Sequence, residues 1–331
     1  MIFRGIRNIW KPPVYHGSIR MRGYFEGWYY KFVDKIEQNV IALIPGVSFD
    51  SNGTNSHAFI QFLDNSEGFS NYFRFGIEDF SFSQDKPEIK IGDNFFSPSK
   101  IEVNVQNNNL SINGVLQFQN IKPWPITCFS PGAMGWYAFV PFMQCYHGVL
   151  SFDHSIDGKL LINSKTVDFT GGRGYIEKDW GHSFPSYHIW LQTNHFDQTG
   201  ISLMVSIANI PWLGRYFDGF LIGFLYGGHL YKFTTYTGAR ITVFRYDHSS
   251  LWLHVKSDNY RIEIEVKYAR GAQLRSPIRG EMQGRLSETL AAETLVRFYR
   301  VSKDTESFIF RGFGRHTGLE IEGNIPENLK P

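Results

Sequence analysis

The sequence has little cysteine and no excess charge of either sign. Its two cysteines, Cys128 and Cys145, are too few among 331 residues for the disulfide framework of a small secreted domain. Lys and Arg number 33 against 31 Asp and Glu, and no block of like charge occurs. The electrostatic footprint of a nucleic-acid-binding protein is therefore missing, and we expect no nucleic-acid partner and infer no protein partner.

Segments that would carry the chain into or across a membrane are also lacking. The start, MIFRGIRNIWKPP, has no apolar core of a signal peptide. The most apolar region, residues 201–233, is interrupted by Pro211, Gly214 and Arg215, whereas a spanning helix needs about 20 unbroken apolar residues. We expect a cytoplasmic protein and leave open a peripheral membrane contact through the apolar residues 211–231.

Aromatic residues and glycine are abundant. Phe, Tyr and Trp make up 17% of the chain, and there are 32 Gly, a composition that favours strands and turns. Apolar residues alternate with other residues over 201–207 and again over 260–266, at the period of a strand. Residues 285–300 fit either a helix or a strand. We predict an all-β protein of antiparallel barrels or sandwiches with little helix.

The chain contains an internal similarity. The sequence RGYFE at Arg22–Glu26 recurs as RGYIE at Arg173–Glu177, about half the chain length later, and a Trp-led strand pattern follows each copy. This order of elements indicates two related β domains in tandem. We place the N-terminal domain at residues 1–160 and the C-terminal domain at residues 161–331.

The densest group of polar and aromatic residues is GGRGYIEKDWGHSFPSYHIWLQTNHF, residues 171–196. In an extended strand, Tyr175, Glu177 and Asp179 lie on one face and Trp180 on the other. Two carboxylates beside a phenol form a cluster in which one acid can be held protonated. The alternative is that Lys178 and Asp179 merely form a turn.

A second group follows on the next predicted strand. Trp190, Gln192 and Asn194 share one face there, so two amides lie beside an indole. If both faces point into a barrel, they line an apolar pocket for a hydrophobic small molecule. Otherwise, the amides bond to backbone groups at a barrel mouth.

The first half offers a similar pattern in RGYFEGWYYKF, residues 22–32. Tyr24 and Glu26 share a face, and Gly27 before Trp28 indicates a β-bulge. The alternative for Glu26 is structural, in an ion pair with Arg22 or Lys31 that holds a barrel end closed.

Signatures of metal and cofactor chemistry are weak. His182, His188 and His195 show no HxH or HxxxH spacing, and the two cysteines are far apart. The sequence has no GxSxG elbow, no P-loop and no GxGxxG followed by a helix. We predict no metal and no cofactor.

Four segments resemble the tocopherol cyclase family: FEGWYYK at 25–31, GYIEKDWGHSFP at 174–185, IWLQTNHF at 189–196 and TGLEIEG at 317–323. The resemblance implies paired lipocalin-type β barrels or sandwiches. It also implies an isomerase-type enzyme that closes a prenylated hydroquinone to a chromanol ring without a cofactor. Asp179 departs from the family block, which often has Asn there.

That chemistry requires a positioned acid in a dry pocket and aromatic rings that stabilise a carbocation. The candidate acids are Glu177 and Asp179, with Glu26 as their counterpart in the other half. The candidate substrate-binding residues are Tyr24, Trp28, Tyr175, Trp180, Trp190, Gln192 and Asn194; the three tryptophans face the cation and the two amides orient the phenol. Two other functions remain open: a non-catalytic carrier of a prenyl lipid or quinone, and an isoprenoid hydratase.

Overall fold

The computed structural model describes residues 8–18, 21–65, 68–141, 143–212, 214–247, 249–303, 305–327 and 329. The first seven residues of the start tested above for a signal peptide lie outside this part. The chain divides into two compact units: residues up to 184 together with 273–285, and residues 185–272 together with 286 onward. The sequence prediction places the boundary after residue 160, whereas residues 161–184 pack within the first unit.

The described chain consists of strands and three short 3-10 helices. The first fourteen strands are β1 (Tyr24–Val33), β2 (Val40–Phe49), β3 (His57–Asp64), β4 (Phe69–Gly76), β5 (Phe80–Phe82), β6 (Ile89–Ile91), β7 (Asn94–Ser97), β8 (Lys100–Gln106), β9 (Ser111–Gln119), β10 (Ile126–Thr127), β11 (Ser130–Pro131), β12 (Cys145–Ile162), β13 (Lys165–Asp168) and β14 (Arg173–Gly181). The remaining strands are β15 (His188–Thr193), β16 (Ser202–Trp212), β17 (Arg215–Tyr226), β18 (His229–Thr234), β19 (Arg240–Tyr246), β20 (Ser250–Lys256), β21 (Tyr260–Lys267), β22 (Ala272–Ile278), β23 (Glu281–Val301) and β24 (Glu306–Glu322). The 3-10 helices are Ile77–Asp79, Gly135–Phe139 and Thr235–Thr237.

The all-β prediction is confirmed. Two large antiparallel sheets contain nearly all the strands, and residues 285–300, which fitted either a helix or a strand, lie in β23. Among the described residues, we find no helix with the length and apolar character needed to cross a bilayer.

The first sheet has twelve strands in the order β4-β3-β2-β1-β14-β12-β9-β8-β7-β6-β5, with β13 paired to β12. Strand β14 lies between β1 and β12, so the two copies of the internal similarity are neighbouring antiparallel strands, with Tyr29 opposite Glu177. The register of β1 runs through Gly27 without a shift, and the predicted bulge there is wrong. The register shifts lie instead in β12, on either side of Ser151.

The core of the first unit combines aromatic rings with aliphatic side chains. Phe32 stacks on Phe118 with ring centroids 5.5 Å apart, and Tyr30 and Phe96 pack beside them. Each fully buried ring contributes about 1.5–3 kcal/mol relative to an exposed one. Many of the aromatic residues that are abundant in the sequence therefore lie in the interior.

The second large sheet has the order β18-β17-β16-β15-β24-β23-β21-β20-β19, with β22 paired to β23. Its β21 shows the predicted alternation, because Ile262 and Ile264 are fully buried while Arg261 and Glu263 form an ion pair on the other face. By contrast, β16 is buried on both faces over residues 202–205.

The hairpin formed by β22 and the start of β23 packs in the first unit. The side chain of Gln61 forms two hydrogen bonds with the backbone of Arg275, and Ser48 Oγ donates to the carbonyl of Gly280. Gly280 has a φ of 82°, and a Cβ there would overlap the backbone nitrogen of Tyr24. Only glycine fits this position.

Candidate functional site

Strand β14 places its polar residues on two faces, as the sequence predicts. It pairs with β1 on one side and β12 on the other, so the backbone stays extended through Lys178 and Asp179. The alternative of a turn at these two residues is therefore wrong. One face presents Tyr175, Glu177 and Asp179, and the other presents Lys178 and Trp180.

On the first face, His147 of β12 joins the two predicted carboxylates. His147 lies opposite Asp179 in the β12–β14 register, and its Nδ1 is 2.8 Å from Asp179 Oδ1. Its Nε2 is 3.6 Å from Glu177 Oε2, which also accepts a 2.5 Å hydrogen bond from the Tyr175 hydroxyl. Asp179, His147, Glu177 and Tyr175 thus form a row of polar side chains, which we call the histidine–carboxylate chain. Hydrogen bonds join Asp179 to His147 and Tyr175 to Glu177, and the 3.6 Å contact between His147 and Glu177 connects the two pairs.

The histidine–carboxylate chain runs from partly exposed to fully buried groups. The side chain of Asp179 is 27% exposed, whereas that of Glu177 is 5% exposed. Burial, together with the charge of Glu177, raises the pKa of Tyr175 well above its ordinary value, so the phenol stays protonated and donates. The histidine–carboxylate chain therefore runs from a neutral, buried phenol to a carboxylate that is partly exposed.

The two cysteines differ in their surroundings. Cys128 is exposed, whereas Cys145 at the start of β12 has its Sγ 4.0 Å from Asp179 Oδ1. Burial, reinforced by the charge of Asp179, raises the pKa of the Cys145 thiol well above its usual range. Cys145 is thus a neutral neighbour of the histidine–carboxylate chain.

His147, Glu177 and Asp179 are also the residues that could hold a metal ion, since their ligand atoms lie within 4.8 Å of one another. The two ring nitrogens of His147 face different carboxylates, however, and one ion can bind only one of them. This arrangement suits a histidine placed between two carboxylates better than a tetrahedral metal centre. The expected lack of a metal stays a prediction.

The opposite face of β14 carries a buried ion pair. Lys178 Nζ lies 2.5 Å from Glu26 Oε1 of β1, and both side chains are fully buried. Lys178 also donates to the carbonyls of Pro12 and Val14 at 3.0 and 2.5 Å, and its Nζ is 2.8 Å from Nδ1 of His16. The ion-pair partner of Glu26 is thus Lys178, whereas the structural alternative considered Arg22 and Lys31.

Glu26 is held as an anion. Its carboxylate accepts a 2.5 Å hydrogen bond from the Tyr24 hydroxyl and 3.0 Å bonds from the backbone N–H groups of His16 and Gly17. Burial would raise the pKa of Glu26, but Lys178 and His16 outweigh it and lower the pKa to about 2. Burial likewise lowers the pKa of Lys178 to about 8, against the attraction of Glu26. A carboxylate held in this way is a poor proton donor.

Two of the predicted cation-facing tryptophans do face a cation, which is the protein's own lysine. The Lys178 ammonium lies 4.9 Å from the ring centroid of Trp28 and 4.7 Å from that of Trp180. His16 stacks on Trp180 with the ring centroids 4.4 Å apart, and Tyr146 stacks on Trp180 as well. This face fastens residues 12–17 to the sheet.

The remaining predicted residues belong to the second unit. Trp190 and Gln192 lie in β15 on the face opposite the core residues Ile189 and Leu191, and both are buried. Asn194 follows the end of β15, and its Oδ1 lies 3.0 Å from the ring Nδ1 of the neighbouring His195.

The sequence analysis missed three residues of these two clusters: His16, His147 and Lys178. Lys178 carried a detectable signal, because it alternates with the predicted carboxylates and shares a strand face with Trp180. His147 carried none, since its place beside Asp179 depends on a pairing between strands that are far apart in the sequence.

The fold and the site together define a class of protein: an all-β chain with two large antiparallel sheets and a histidine–carboxylate chain on the central strands of the first sheet. The chain belongs to the tocopherol cyclase-like family, whose model matches residues 22–323. That match includes every predicted site residue.

The alignments with curated relatives cover less than half of this chain and about a third of each relative. The probable chloroplastic tocopherol cyclase of Oryza sativa subsp. japonica is 28% identical over 161 residues, which is 46% of this chain and 33% of the relative. The chloroplastic tocopherol cyclase of Zea mays is 28% identical over 151 residues, 43% of this chain and 31% of the relative. The matched part is thus about a third of the length of these relatives.

Solved structures show the same fold at low identity. CghA in complex with Sch210972 aligns with a TM-score of 0.56 and 9% identity over 91% of this chain and 88% of CghA. A putative AttH protein from Nitrosomonas europaea aligns with a TM-score of 0.52 and 13% identity, over 89% of this chain and 92% of that one. At sequence identities this low, the similarity supports the fold of this chain and says nothing about its activity.

Proposed function

We propose that this protein is an enzyme that cyclises a prenylated hydroquinone, or a related isoprenoid, to a chromanol-type ring by acid catalysis. The observation that carries the proposal is the histidine–carboxylate chain, in which His147 lies between Asp179 and Glu177 within the region matched by the family. General acid catalysis needs a proton donor held in place, and in this proposal the histidine–carboxylate chain is that donor.

The reaction would conserve all atoms. The histidine–carboxylate chain delivers a proton to one carbon of a trisubstituted alkene in the substrate, and the other alkene carbon becomes a tertiary carbocation. The phenol oxygen of the same substrate bonds to that carbon, and the phenolic proton returns to the group that gave the first one. The net change is an isomerisation, so the chemistry calls for no resident cofactor.

In this proposal, some residues contact the substrate and others hold those residues in place. Asp179 lies at the partly exposed end of the histidine–carboxylate chain, where substrate can reach it, and the buried His147 and Glu177 continue it inward. Tyr175 remains neutral and fixes the orientation of Glu177 through its hydroxyl. Glu26, Tyr24, Trp28 and Trp180 support the site from the other face of the sheet.

The substrate in this proposal is a hydrophobic small molecule. Trp190, Gln192 and Asn194 belong to the second unit, and their role in substrate binding stays a prediction from the sequence. A prenyl lipid resides in membranes, and a peripheral membrane contact is part of this proposal.

The test is turnover by single variants that keep the shape of each side chain. We expect Asp179→Asn, Glu177→Gln and His147→Gln each to lower kcat on a panel of prenylated hydroquinones by about 10²–10⁴-fold, the usual worth of general acid–base catalysis. Asp168→Asn is the matched control, because Asp168 forms an exposed ion pair with Lys159. Thermal unfolding of each variant checks that the fold is kept.

Mass spectrometry of the products separates the alternatives. An unchanged mass with a new ring supports the cyclase, and the gain of one water indicates a hydratase. Saturable binding without conversion in the unmodified protein indicates a carrier. Full activity in all three variants would overturn the assignment of the histidine–carboxylate chain.

A further inference from the structure

A cavity of about 460 Å³ opens at the other end of the first unit's strands. The histidine–carboxylate chain lies where β12 begins and β14 ends, whereas this cavity is lined by the turns after β1 and β12. Its floor consists of the core residues Ile41, Phe62, Leu110 and Val167, all of them buried. Its volume falls within the range of small-molecule sites, about 300–1,000 Å³.

The rim of the cavity is fastened by hydrogen bonds between strand ends and turns. Lys165 Nζ donates to Asn39 Oδ1 at 3.0 Å, which joins the start of β13 to the turn after β1. The backbone N–H of Ser111 donates to Asn163 Oδ1 at 3.0 Å, which joins the start of β9 to the turn after β12. A mouth fastened on these sides is preformed for a ligand.

The rim has one cation placed to recognise a head group. Within the described residues, Lys165 Nζ donates to a neutral amide oxygen rather than to a carboxylate, so the ammonium has two further N–H donors for a ligand. Asp64 also lines the cavity, and an anionic head group is therefore directed to the Lys165 side. The exposed Asn109 adds an amide to the rim.

We propose that this cavity binds an amphipathic molecule, an aliphatic or isoprenoid chain that ends in a carboxylate. The hydrocarbon part of the ligand lies against the cavity floor at Phe62 and Val167, and the ligand carboxylate accepts hydrogen bonds from Lys165. The site is separate from the histidine–carboxylate chain, so it does not depend on the proposed reaction.

The first experiment tests the floor of the cavity. The fluorescent fatty acid 11-(dansylamino)undecanoic acid is titrated into the full chain, and saturable binding is expected. Ile162 lines the cavity, whereas its neighbour Leu161 is 43% exposed and is not among the lining residues. We expect Ile162→Trp to weaken binding at least tenfold and Leu161→Trp to leave it unchanged, with the thermal midpoints of both compared.

The second experiment tests the head group. Competition with dodecanoic acid, farnesoic acid and dodecanol separates chain type from charge. Lys165→Gln is expected to weaken both acids at least fivefold and to leave the alcohol unchanged. Lys159→Gln is the control, since Lys159 pairs with Asp168 away from the lining residues.

Three results would overturn the proposal: no saturable binding by the unmodified chain, equal binding by the Ile162→Trp and Leu161→Trp variants, or equal losses for acid and alcohol in Lys165→Gln. His147→Gln separates the two proposals, because it should retain probe binding whether or not it loses turnover.

Discussion

At the scale of single residues, the first unit depends on a buried charge pair. Glu26 and Lys178 are both removed from water, and such a pair is stable only when further hydrogen bonds complete it. The Tyr24 hydroxyl and two backbone N–H groups do so for Glu26, while the carbonyls of Pro12 and Val14 do so for Lys178. The pair therefore acts as a fastening for the N-terminal residues.

The pair should make the protein sensitive to acid. The pKa of Glu26 falls from its ordinary 4.5 to about 2 on folding, so its contribution is complete above pH 4.5 and is lost as the pH falls toward 2. At about 1.4 kcal/mol for each pH unit of that difference, the loss is about 3 kcal/mol. Urea unfolding at pH values from 6 to 2.5 measures it.

The matched variants for this measurement are Glu26→Gln and Glu102→Gln. Glu102 is a partly exposed partner of Lys100, so its removal should leave the acid slope unchanged, whereas Glu26→Gln should flatten it. An equal slope in the unmodified protein and the Glu26→Gln variant would contradict this account.

At the scale of strands, the sequence predicted which side chains share a face within one strand, but it did not predict which strands are neighbours in the sheet. The faces of β14 follow from the period of two in its own sequence, so Tyr175, Glu177 and Asp179 were placed together correctly. The predicted bulge at Gly27 was wrong because a glycine can serve a strand without breaking its register, and the sequence does not say what lies across from it. The Glu26–Lys178 pair likewise depends on β1 meeting β14.

Glycines in neighbouring strands should respond differently to the same substitution. A Cβ at Gly174 would overlap the ring of His154, which is held by Ser151 and packed against Phe118. We expect Gly174→Ala to destabilise the protein by about 1–3 kcal/mol, as overpacking does. At Gly27, the nearest atom to a new Cβ is 3.8 Å away, and Gly27→Ala should change stability by less than about 0.5 kcal/mol.

Thermal or urea unfolding of the two alanine variants compares them directly. A Gly174→Ala variant as stable as Gly27→Ala would show that the His154 ring moves aside without cost.

At the scale of the whole molecule, the topology of the first sheet depends on a late strand. Strand β14 lies between β1 and β12, although about 140 residues separate it in sequence from β1. The similarity between Arg22–Glu26 and Arg173–Glu177 suggested two domains, yet the structure uses the copies as adjacent strands. Within each copy, tyrosine donates to the glutamate two residues later, at 2.5 Å. The same tyrosine–glutamate hydrogen bond thus occurs in both copies, but nothing in the local sequence showed that the two strands pair with each other.

Truncation should reveal this dependence. A fragment of residues 1–160 lacks β14, which leaves β1 and β12 without their shared partner, and we expect no cooperative unfolding transition. A fragment of residues 1–184 retains all twelve strands of the sheet and should unfold cooperatively, although it lacks the contacts of 273–285 and is weakened. Circular dichroism during heating compares the two, and a cooperative 1–160 fragment would contradict the topology.

The unequal surroundings of the two thiols give the protein an internal reporter. Cys128 is exposed, whereas Cys145 is less exposed and its thiolate is disfavoured by burial and by Asp179, so a maleimide dye near neutral pH should label Cys128 first. A second, slower labelling phase would then report the rate at which the surroundings of Cys145 open. Because Cys145 contacts Asp179, a molecule seated at the proposed active site should slow that second phase, and its occupancy could be followed with no chromophore of its own.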